Sequence, residues 1–295
     1  PVDVMKTMSA VPGLSPELIQ RYDLAGPRYT SYPTADRFVE AFSADDYGLA
    51  LDTVAPGMPQ SAAPLSVYVH IPFCESLCYY CGCNKIVTRH NEHASRYLQY
   101  LEREAALHRQ RLGQRKPVSQ LHWGGGTPTF LSDAELEQLM RMLWRHFDLS
   151  VLDECSVEVD PRTVDAARLR HLGALGFNRL SFGVQDFNPA VQKAVHRVQS
   201  ADQVFALMDA ARALQFDSVN VDLIYGLPKQ SVESFAQTIE RVAALRPDRI
   251  ALYGYAHLPE RFNPQRRIST ADLPSAASKL QMFTAALQAL LPAGY

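Results

Sequence analysis

Short apolar or β-branched runs alternate with longer amphipathic stretches from Leu65 to the end of the chain. The short runs have the length of buried strands, and the longer stretches repeat their apolar positions every three to four residues, as helices do. The pattern predicts strands at residues 67–71, 119–123, 156–159, 179–184, 218–224 and 249–254. It predicts helices at residues 92–111, 133–147, 164–175, 201–214, 232–245 and 274–291.

This alternation is typical of an α/β protein with a parallel sheet and right-handed crossovers. Six strand–helix units, two fewer than a closed barrel has, predict a partial (β/α)6 TIM-like barrel over residues 65–295. The active site of such a barrel lies at the carboxyl ends of its strands. Its open side wall would admit a bulky, flat substrate.

Residues 1–64 do not follow the repeat and are predicted to form an N-terminal arm and cap. Within them, residues 26–33 read as an extended arm because proline and glycine punctuate the segment. The chain ends at Tyr295, directly after a long predicted helix, where a further strand or domain would be expected. Two domains are therefore predicted, at residues 1–64 and 65–295.

Composition and charge narrow the class of protein. The 295 residues are 47% hydrophobic, enough for a sizeable core, and the net charge of −2 argues against nucleic acid as a partner. No run reaches the roughly 18 apolar residues of a membrane span. The first 13 residues lack a basic region followed by an apolar core, so no secretory signal is predicted. These features predict a cytoplasmic protein, and we expect a monomer.

Three cysteines, Cys74, Cys78 and Cys81, follow the first predicted strand with the spacing C-x3-C-x2-C. Three thiolates on one loop can hold three irons of a four-iron cluster and leave the fourth iron open to a ligand. Cys83 and His70 are close in sequence, so a closed zinc site with four cysteines, or with three and the histidine, is an alternative. A disulfide pair is a third alternative.

A glycine-rich segment, WGGGTPT, closes the second predicted strand. Successive glycines let the backbone approach a ligand with no Cβ in the way. The alternative is a tight strand-to-helix loop. The segment is not a phosphate-binding P-loop, because no Gly-Lys-Ser/Thr sequence follows the glycines.

Charged and aromatic side chains lie at the ends of later strands. Glu158 needs a partner there, and a ligand or a structural pair with Arg179 would serve. Asp222 lies in an apolar run late in the fifth strand, and residues 196–197 offer it a counter-charge. Tyr255, after the sixth strand, either lines a flat cavity or packs in the core. We expect these groups to meet at the mouth of the barrel.

Together, the cysteine loop and the GGGTP segment resemble the radical S-adenosylmethionine (radical SAM) superfamily, whose cofactor chelates the open iron. A more specific resemblance rests on residues 68–74, residues 81–85 and the arm 26–33. With these segments included, the whole chain resembles the oxygen-independent coproporphyrinogen III oxidases. The resemblance implies a partial (β/α)6 barrel followed by a C-terminal domain, which we expect this chain not to include.

The same resemblance implies an oxidoreductase of haem biosynthesis. Such enzymes convert two propionate side chains of coproporphyrinogen III to vinyl groups, release carbon dioxide and give protoporphyrinogen IX. The implied cofactors are one [4Fe–4S] cluster and two molecules of S-adenosylmethionine, and the implied partner is an electron donor such as a flavodoxin or a ferredoxin. No catalytic side chain is implied, because the cofactor supplies the radical.

Family motifs transfer to this chain residue by residue. The implied iron ligands are Cys74, Cys78 and Cys81, and Cys83 matches a position beside the cluster that is not a ligand. The implied contacts of the first S-adenosylmethionine are Tyr68, Gly125, Glu158 and a family residue that would lie beyond Tyr295. The implied contacts of the second are Tyr80, Gly126, Thr127, Gln185, Arg197, Asp222 and Ala256. The family often has phenylalanine where this chain has Tyr80, and the aromatic face is kept.

Two other functions remain open at the level of sequence. One is a haem-binding chaperone on the same scaffold, against which Gly82, Cys83 and the arm argue. The other is a zinc-stabilised binding module, which metal analysis would distinguish. For the oxidase we hypothesise that Arg28 in the arm grips a propionate of the substrate, because arginine binds carboxylates with paired hydrogen bonds.

Overall fold

Six parallel strands form one sheet in which each strand pairs with the strand that precedes it in the strand–helix repeat. The computed structural model describes Glu17, Arg21, Thr34 and residues 37–58 and 61–295. The sheet order is β1-β4-β5-β6-β7-β8, and a separate two-stranded ladder joins β2 to β3. The predicted α/β fold, a partial (β/α)6 barrel, is confirmed.

The bounds of the elements are as follows. The strands are β1 Leu65–Ile71, β2 Phe73–Cys74, β3 Ile86–Val87, β4 Val118–Gly125, β5 Glu154–Val159, β6 Arg179–Gln185, β7 Ser218–Tyr225 and β8 Arg249–Gly254. The α-helices are α1 Ala44–Asp52, α2 Glu92–Arg111, α3 Asp133–His146, α4 Ala166–Ala174, α5 Pro189–Ala194, α6 Ala201–Ala213, α7 Val232–Leu245 and α8 Ala276–Leu290. Short 3-10 turns occupy Pro128–Phe130, Pro161–Thr163, Asn263–Arg267 and Thr270–Asp272.

The two faces of the sheet differ in polarity, and this difference positions the site. On β5, β6 and β7 the residues alternate between fully buried and half-buried. The buried set packs under the helices and is apolar: Val157, Val159, Leu180, Phe182, Val184, Val219, Val221 and Leu223. The half-buried set faces the hollow of the barrel and is largely polar: Ser156, Glu158, Ser181, Gln185, Asn220 and Asp222. A closed barrel of eight strands fills its interior with packed side chains, whereas here the interior is open and hydrophilic.

Serine caps fix where several helices begin. Ser132 accepts a hydrogen bond from the Glu135 backbone, and the Glu135 side chain accepts one from the Ser132 backbone in return, so α3 starts with a capping box. Ser231 and Ser234 make the same arrangement at the start of α7. These caps place each helix start one residue after the serine.

Two helices and two strands were not predicted from the sequence. Helix α1 buries no residue, so it carries no core-facing periodicity, although Ser43 and Asp46 form a capping box. Helix α5 has six residues, and β2 and β3 have two each, which is too short for a periodic signal. The predicted division at residue 64 stays a prediction, and the arm 26–33 lies outside the described residues. Within the described part of the chain, no helix is both long and apolar enough to cross a membrane.

Candidate functional site

The cysteine loop leaves the carboxyl end of β1 and is closed at its base by the β2–β3 ladder. Phe73 and Cys74 pair in parallel with Ile86 and Val87. The Ile86 backbone N–H donates to the Pro72 carbonyl at 2.7 Å, and the Thr88 N–H donates to the Cys74 carbonyl at 2.9 Å. The two ends of the loop are therefore held side by side, which confines the intervening cysteines to one compact turn.

Contacts from distant segments hold the body of the loop. The Tyr79 backbone N–H donates to the Val195 carbonyl at 2.9 Å, and Gln265 Nε2 donates to the Tyr80 carbonyl at 2.9 Å. Gly82 lies against the ring of Phe262: a Cβ on Gly82 would be only 3.1 Å from the nearest ring atom. The loop thus contacts the segments after β6 and after β8, both of which come much later in the sequence.

All five cysteines are free thiols, so the disulfide alternative is not formed. Cys78 is buried, Cys74 and Cys81 are half-buried, and Cys83 is exposed. A hydrogen bond from Cys83, followed by the nearby Lys85 ammonium, lowers the pKa of Cys81 to about 6. Burial raises the pKa of Cys74. The Thr127 hydroxyl donates to its sulfur at 3.5 Å.

The space beside Cys74 can hold a group larger than a single ion. Within the ranges that the structure describes, no three His, Cys, Asp or Glu side chains converge closely enough to hold one metal ion. A structural zinc ion would need four ligands within about 2.0–2.3 Å of one point. Instead, Cys74 lines a cavity of about 230 Å³ together with Thr127, Asp160 and Arg162, which is room for a group much larger than one ion.

Two arginines and an aspartate surround Cys78. Arg162 Nη2 lies 3.7 Å from the Cys78 sulfur and Arg197 Nη1 lies 3.6 Å from it, and both arginines also bind the Asp160 carboxylate. Burial would raise the pKa of Asp160, but the hydrogen bond from Arg162 and the two guanidinium charges lower it overall. Arg197 directly contacts Asp160 and the Gly183 carbonyl. Its charge also lowers the pKa of Asp222, as a counter-charge would, although burial of Asp222 outweighs this effect.

The three glycines after Trp123 make room for neighbouring chain segments. A Cβ at Gly126 would lie 2.8 Å from the backbone of Pro72 and Phe73, where the cysteine loop begins. A Cβ at Gly125, whose φ is 117°, would lie 2.7 Å from the His70 ring. The glycines therefore let the end of β4 pack directly against the cysteine loop, a requirement separate from any contact with a ligand.

The structure brings together the three residues predicted to contact the first S-adenosylmethionine. The Gly125 backbone N–H donates to Glu158 Oε2 at 3.1 Å. The Tyr68 ring stacks on His122 with 5.7 Å between centroids, and the His122 imidazole lies 3.6 Å from Glu158 Oε1. Burial and then the Glu158 charge raise the pKa of Tyr68 to about 12. The alternative partner of Glu158, Arg179, pairs with Glu154 instead.

The residues predicted for the second S-adenosylmethionine lie further along the sheet. Asp222 accepts hydrogen bonds from Ser181 and Asn220, and burial raises its pKa to about 6. Gln185 ends β6 with a left-handed backbone, φ 68°. Arg197 is buried, and its Nε has no hydrogen-bond partner among the described residues, which leaves a donor for a ligand. Ala256 is exposed just after β8.

Tyr80 and Tyr255 pack against one small apolar cluster, formed by Val191, Val195, Ile224 and Leu227. This cluster lies under the cysteine loop and connects it to the carboxyl end of β7. The aromatic face of Tyr80 is therefore held in place by packing, and the Tyr80 carbonyl is fixed by Gln265. Both sequence readings of Tyr255, core packing and cavity wall, are compatible with this position.

Sequence reasoning missed several residues that contact the predicted ones. Arg162, His122, Ser181 and Asn220 each touch a predicted ligand or contact. Strand alternation could have found Asn220, since it lies two residues before Asp222 and therefore on the same face. Nothing in the sequence pattern distinguishes Arg162 from other surface arginines.

Comparison with known proteins places the chain in a family. The model of the radical SAM superfamily matches residues 68–242, so the chain belongs to that superfamily. Its cofactors are therefore a [4Fe–4S] cluster and S-adenosylmethionine. The free thiol of Cys74 beside an open cavity and the polar side chains at the strand ends fit these cofactors.

Among its relatives are proteins with a more specific name. The chain is 52% identical over 278 residues to the oxygen-independent coproporphyrinogen III oxidase of Escherichia coli, covering 94% of this chain and 59% of that protein. It is 50% identical over 283 residues to the enzyme of the same name from Pseudomonas aeruginosa, covering 95% of this chain and 60% of that protein. The solved structure of coproporphyrinogen III oxidase (HemN) from Escherichia coli, a radical SAM enzyme, superposes with a TM-score of 0.84 at 50% identity and covers 90% of this chain and 60% of that one. The chain thus spans about three-fifths of the length of these relatives.

Proposed function

We propose that the protein is an oxygen-independent coproporphyrinogen III oxidase, which decarboxylates two propionate side chains of coproporphyrinogen III to vinyl groups. Two relatives that carry this name are at least 50% identical to almost the whole chain, and this supports the proposal. The observation that carries it is local: three free cysteines on a fixed loop stand beside a polar, open barrel mouth.

Within this proposal the three thiolates of Cys74, Cys78 and Cys81 hold three irons and leave the fourth iron to S-adenosylmethionine. When bound, the cluster and S-adenosylmethionine would together supply the radical chemistry that hydrogen removal from the propionate needs. The protein orients the reactants and keeps water away from them.

The first S-adenosylmethionine is proposed to lie against Tyr68, Gly125 and Glu158. Glu158 already accepts a hydrogen bond from Gly125 and projects from the polar face of β5, so its carboxylate is available to a cationic amino group. The exposed Tyr68 ring offers an apolar face next to it. A carboxylate beside an aromatic ring suits a ligand that carries an ammonium group and a flat base.

A second S-adenosylmethionine is proposed to lie among Tyr80, Gly126, Thr127, Gln185, Arg197, Asp222 and Ala256. The unpartnered Nε of Arg197 and the raised pKa of Asp222 support a ligand here, because both groups lack full compensation from the protein. We further propose that a flavodoxin or a ferredoxin supplies the electron and that the protein acts as a cytoplasmic monomer.

The test is anaerobic turnover of coproporphyrinogen III by the complete protein with a reconstituted cluster. We expect methionine, 5′-deoxyadenosine and the divinyl product to accumulate together. Cleavage of S-adenosylmethionine without any vinyl product would favour the haem-chaperone alternative. A preparation that binds zinc, and neither iron nor sulfide, would favour the zinc-stabilised module.

A further inference from the structure

The three predicted iron ligands have different hydrogen-bond donors around their sulfur atoms. Cys74 accepts from the Thr127 hydroxyl, and Cys81 pairs with the Cys83 thiol. Cys78 instead lies beside two guanidinium groups, with Arg162 Nη2 at 3.7 Å and Arg197 Nη1 at 3.6 Å from its sulfur. Cys78 is therefore the predicted ligand with two guanidinium groups beside its sulfur, whereas Cys81 has the single Lys85 ammonium nearby.

Asp160 fixes both guanidinium groups. Its carboxylate accepts three hydrogen bonds from the Arg162 guanidinium, at 2.6, 2.9 and 3.2 Å, and two from Arg197, at 3.2 Å each. Arg197 is held further by the Gly183 carbonyl at 2.6 Å. The Asp160 and Arg197 side chains are each 8% exposed and that of Arg162 is 19% exposed, so water screens their charges weakly. The three residues carry one net positive charge.

The backbone also fixes the position of Arg162. Asp160 caps the 3-10 turn Pro161–Thr163, and its side chain accepts from the Arg162 N–H. Pro161 sets the direction in which the chain leaves β5. Arg162 then contacts Cys78 and lines the same cavity as Cys74. It therefore touches one predicted iron ligand and the space beside another.

We propose that Arg162 is a positioning residue that, held by Asp160, orients the Cys78 thiolate and raises the reduction potential of the cluster. The inference rests on the proposed assignment of Cys78 as an iron ligand. An N–H donor and a net positive charge beside the sulfur stabilise the additional electron of the reduced cluster, and weak screening strengthens that effect. The potential is thereby kept within reach of an electron-donor protein.

Substitutions on the two sides of this ion pair shift the potential in opposite directions. Arg162→Met removes a positive charge and a donor, so the midpoint potential falls. A change of about tenfold in the equilibrium between oxidised and reduced cluster corresponds to about 59 mV. Arg162→Lys keeps the charge but loses the paired geometry, and its shift is smaller. Asp160→Asn removes the negative charge between the two arginines, and the potential rises.

The experiment is a redox titration of the reconstituted complete protein, followed by the electron paramagnetic resonance signal of the reduced cluster. Arg141→Gln is the matched control, because it removes one arginine from an exposed pair with Glu137 on α3. Iron content and far-ultraviolet circular dichroism show that each variant is loaded and folded. The control is expected to keep the wild-type potential.

Shifts of the same sign in Arg162→Met and Asp160→Asn, or no shift in either, overturn the inference. If neither Arg162→Met nor Arg162→Lys binds a cluster while both remain folded, the inference is also overturned, because Arg162 would then serve assembly. The proposed function is tested separately: it is refuted if the wild-type protein carries its cluster but does not convert coproporphyrinogen. That result would leave the predicted shifts of potential unaffected.

Discussion

At the scale of single residues, Cys78 and Cys83 test which thiols bind iron. Cys78→Ser is expected to lose the cluster, because a hydroxyl is a poor substitute for a thiolate ligand. Cys83→Ser is the matched control and is expected to keep about four irons per chain, because a serine hydroxyl can still donate to Cys81. The measurement is iron and sulfide content after anaerobic reconstitution. Equal iron content in the two variants would refute the assigned ligand set.

The pH dependence of stability tests the environment of Asp222. Burial raises its pKa from 3.8 to about 6. The contribution of the protonated acid to stability is fully present below pH 4 and is lost as the pH rises through 6, since the unfolded chain releases this proton more readily. Asp222→Asn stays neutral, so its free energy of unfolding should rise relative to wild type by roughly 2 kcal/mol between pH 4 and pH 7.

Denaturant titrations at several pH values measure this difference in the absence of S-adenosylmethionine. Asp209→Asn is the control, since Asp209 is exposed on α6, and it should reproduce the wild-type pH dependence. Parallel curves for wild type and Asp222→Asn would contradict the assigned environment.

The sequence pattern predicted the buried carboxylates of the site but not the arginine that contacts Cys78. Glu158 and Asp222 were predictable because a carboxylate at the end of a buried strand is costly without a purpose. Arg162 was not, because its role depends on a 3-10 turn and on the direction of a long side chain. Strand periodicity predicts which face of the sheet a residue lies on, but it does not predict which residues a long arginine side chain contacts.

At the scale of elements, the packing of β4 against the cysteine loop gives a test of its own. Gly126→Ala would place a Cβ 2.8 Å from backbone atoms of Pro72 and Phe73. Neither backbone can yield as a flexible side chain would, so the start of the cysteine loop must move. We expect about 1–3 kcal/mol of destabilisation and a large loss of bound iron.

Gly173→Ala is the matched control for this substitution. Gly173 lies within α4, and a Cβ there would meet the Phe216 ring at an ordinary 3.5 Å. Because alanine is a better helix former than glycine, the control should be neutral or stabilising by about 0.5–1 kcal/mol. Full iron loading in Gly126→Ala would show that the close approach is unimportant for the loop.

The predictability of the elements followed their length and their burial. Helix α7 was predicted at its observed bounds because it is amphipathic over four turns. Strand β8 was also predicted at its observed bounds, because it ends at a glycine. Helix α4 is shorter than predicted, because Asp165 caps it and α4 therefore begins at Ala166. The β2–β3 ladder depends on pairing between residues twelve or more positions apart, which a local pattern does not reveal.

At the scale of the whole molecule, the order of the sheet was predictable because each strand–helix unit packs beside the unit before it. The polar interior was also foreseeable from alternation along β5, β6 and β7. The relation of the arm to the barrel was not, since residues 26–33 have no periodic pattern that sets a packing face. The hypothesis about Arg28 accordingly remains a hypothesis about a segment outside the described residues.

Electron paramagnetic resonance of the reduced, reconstituted protein, recorded before and after addition of S-adenosylmethionine, tests the central claim most directly. A cluster held by three cysteines has one iron free to bind the added ligand, so we predict a clear change in the signal of the wild-type protein. The Glu158→Gln variant should need a higher concentration of S-adenosylmethionine for the same change. A four-iron signal that stays unchanged at saturating S-adenosylmethionine would contradict the account.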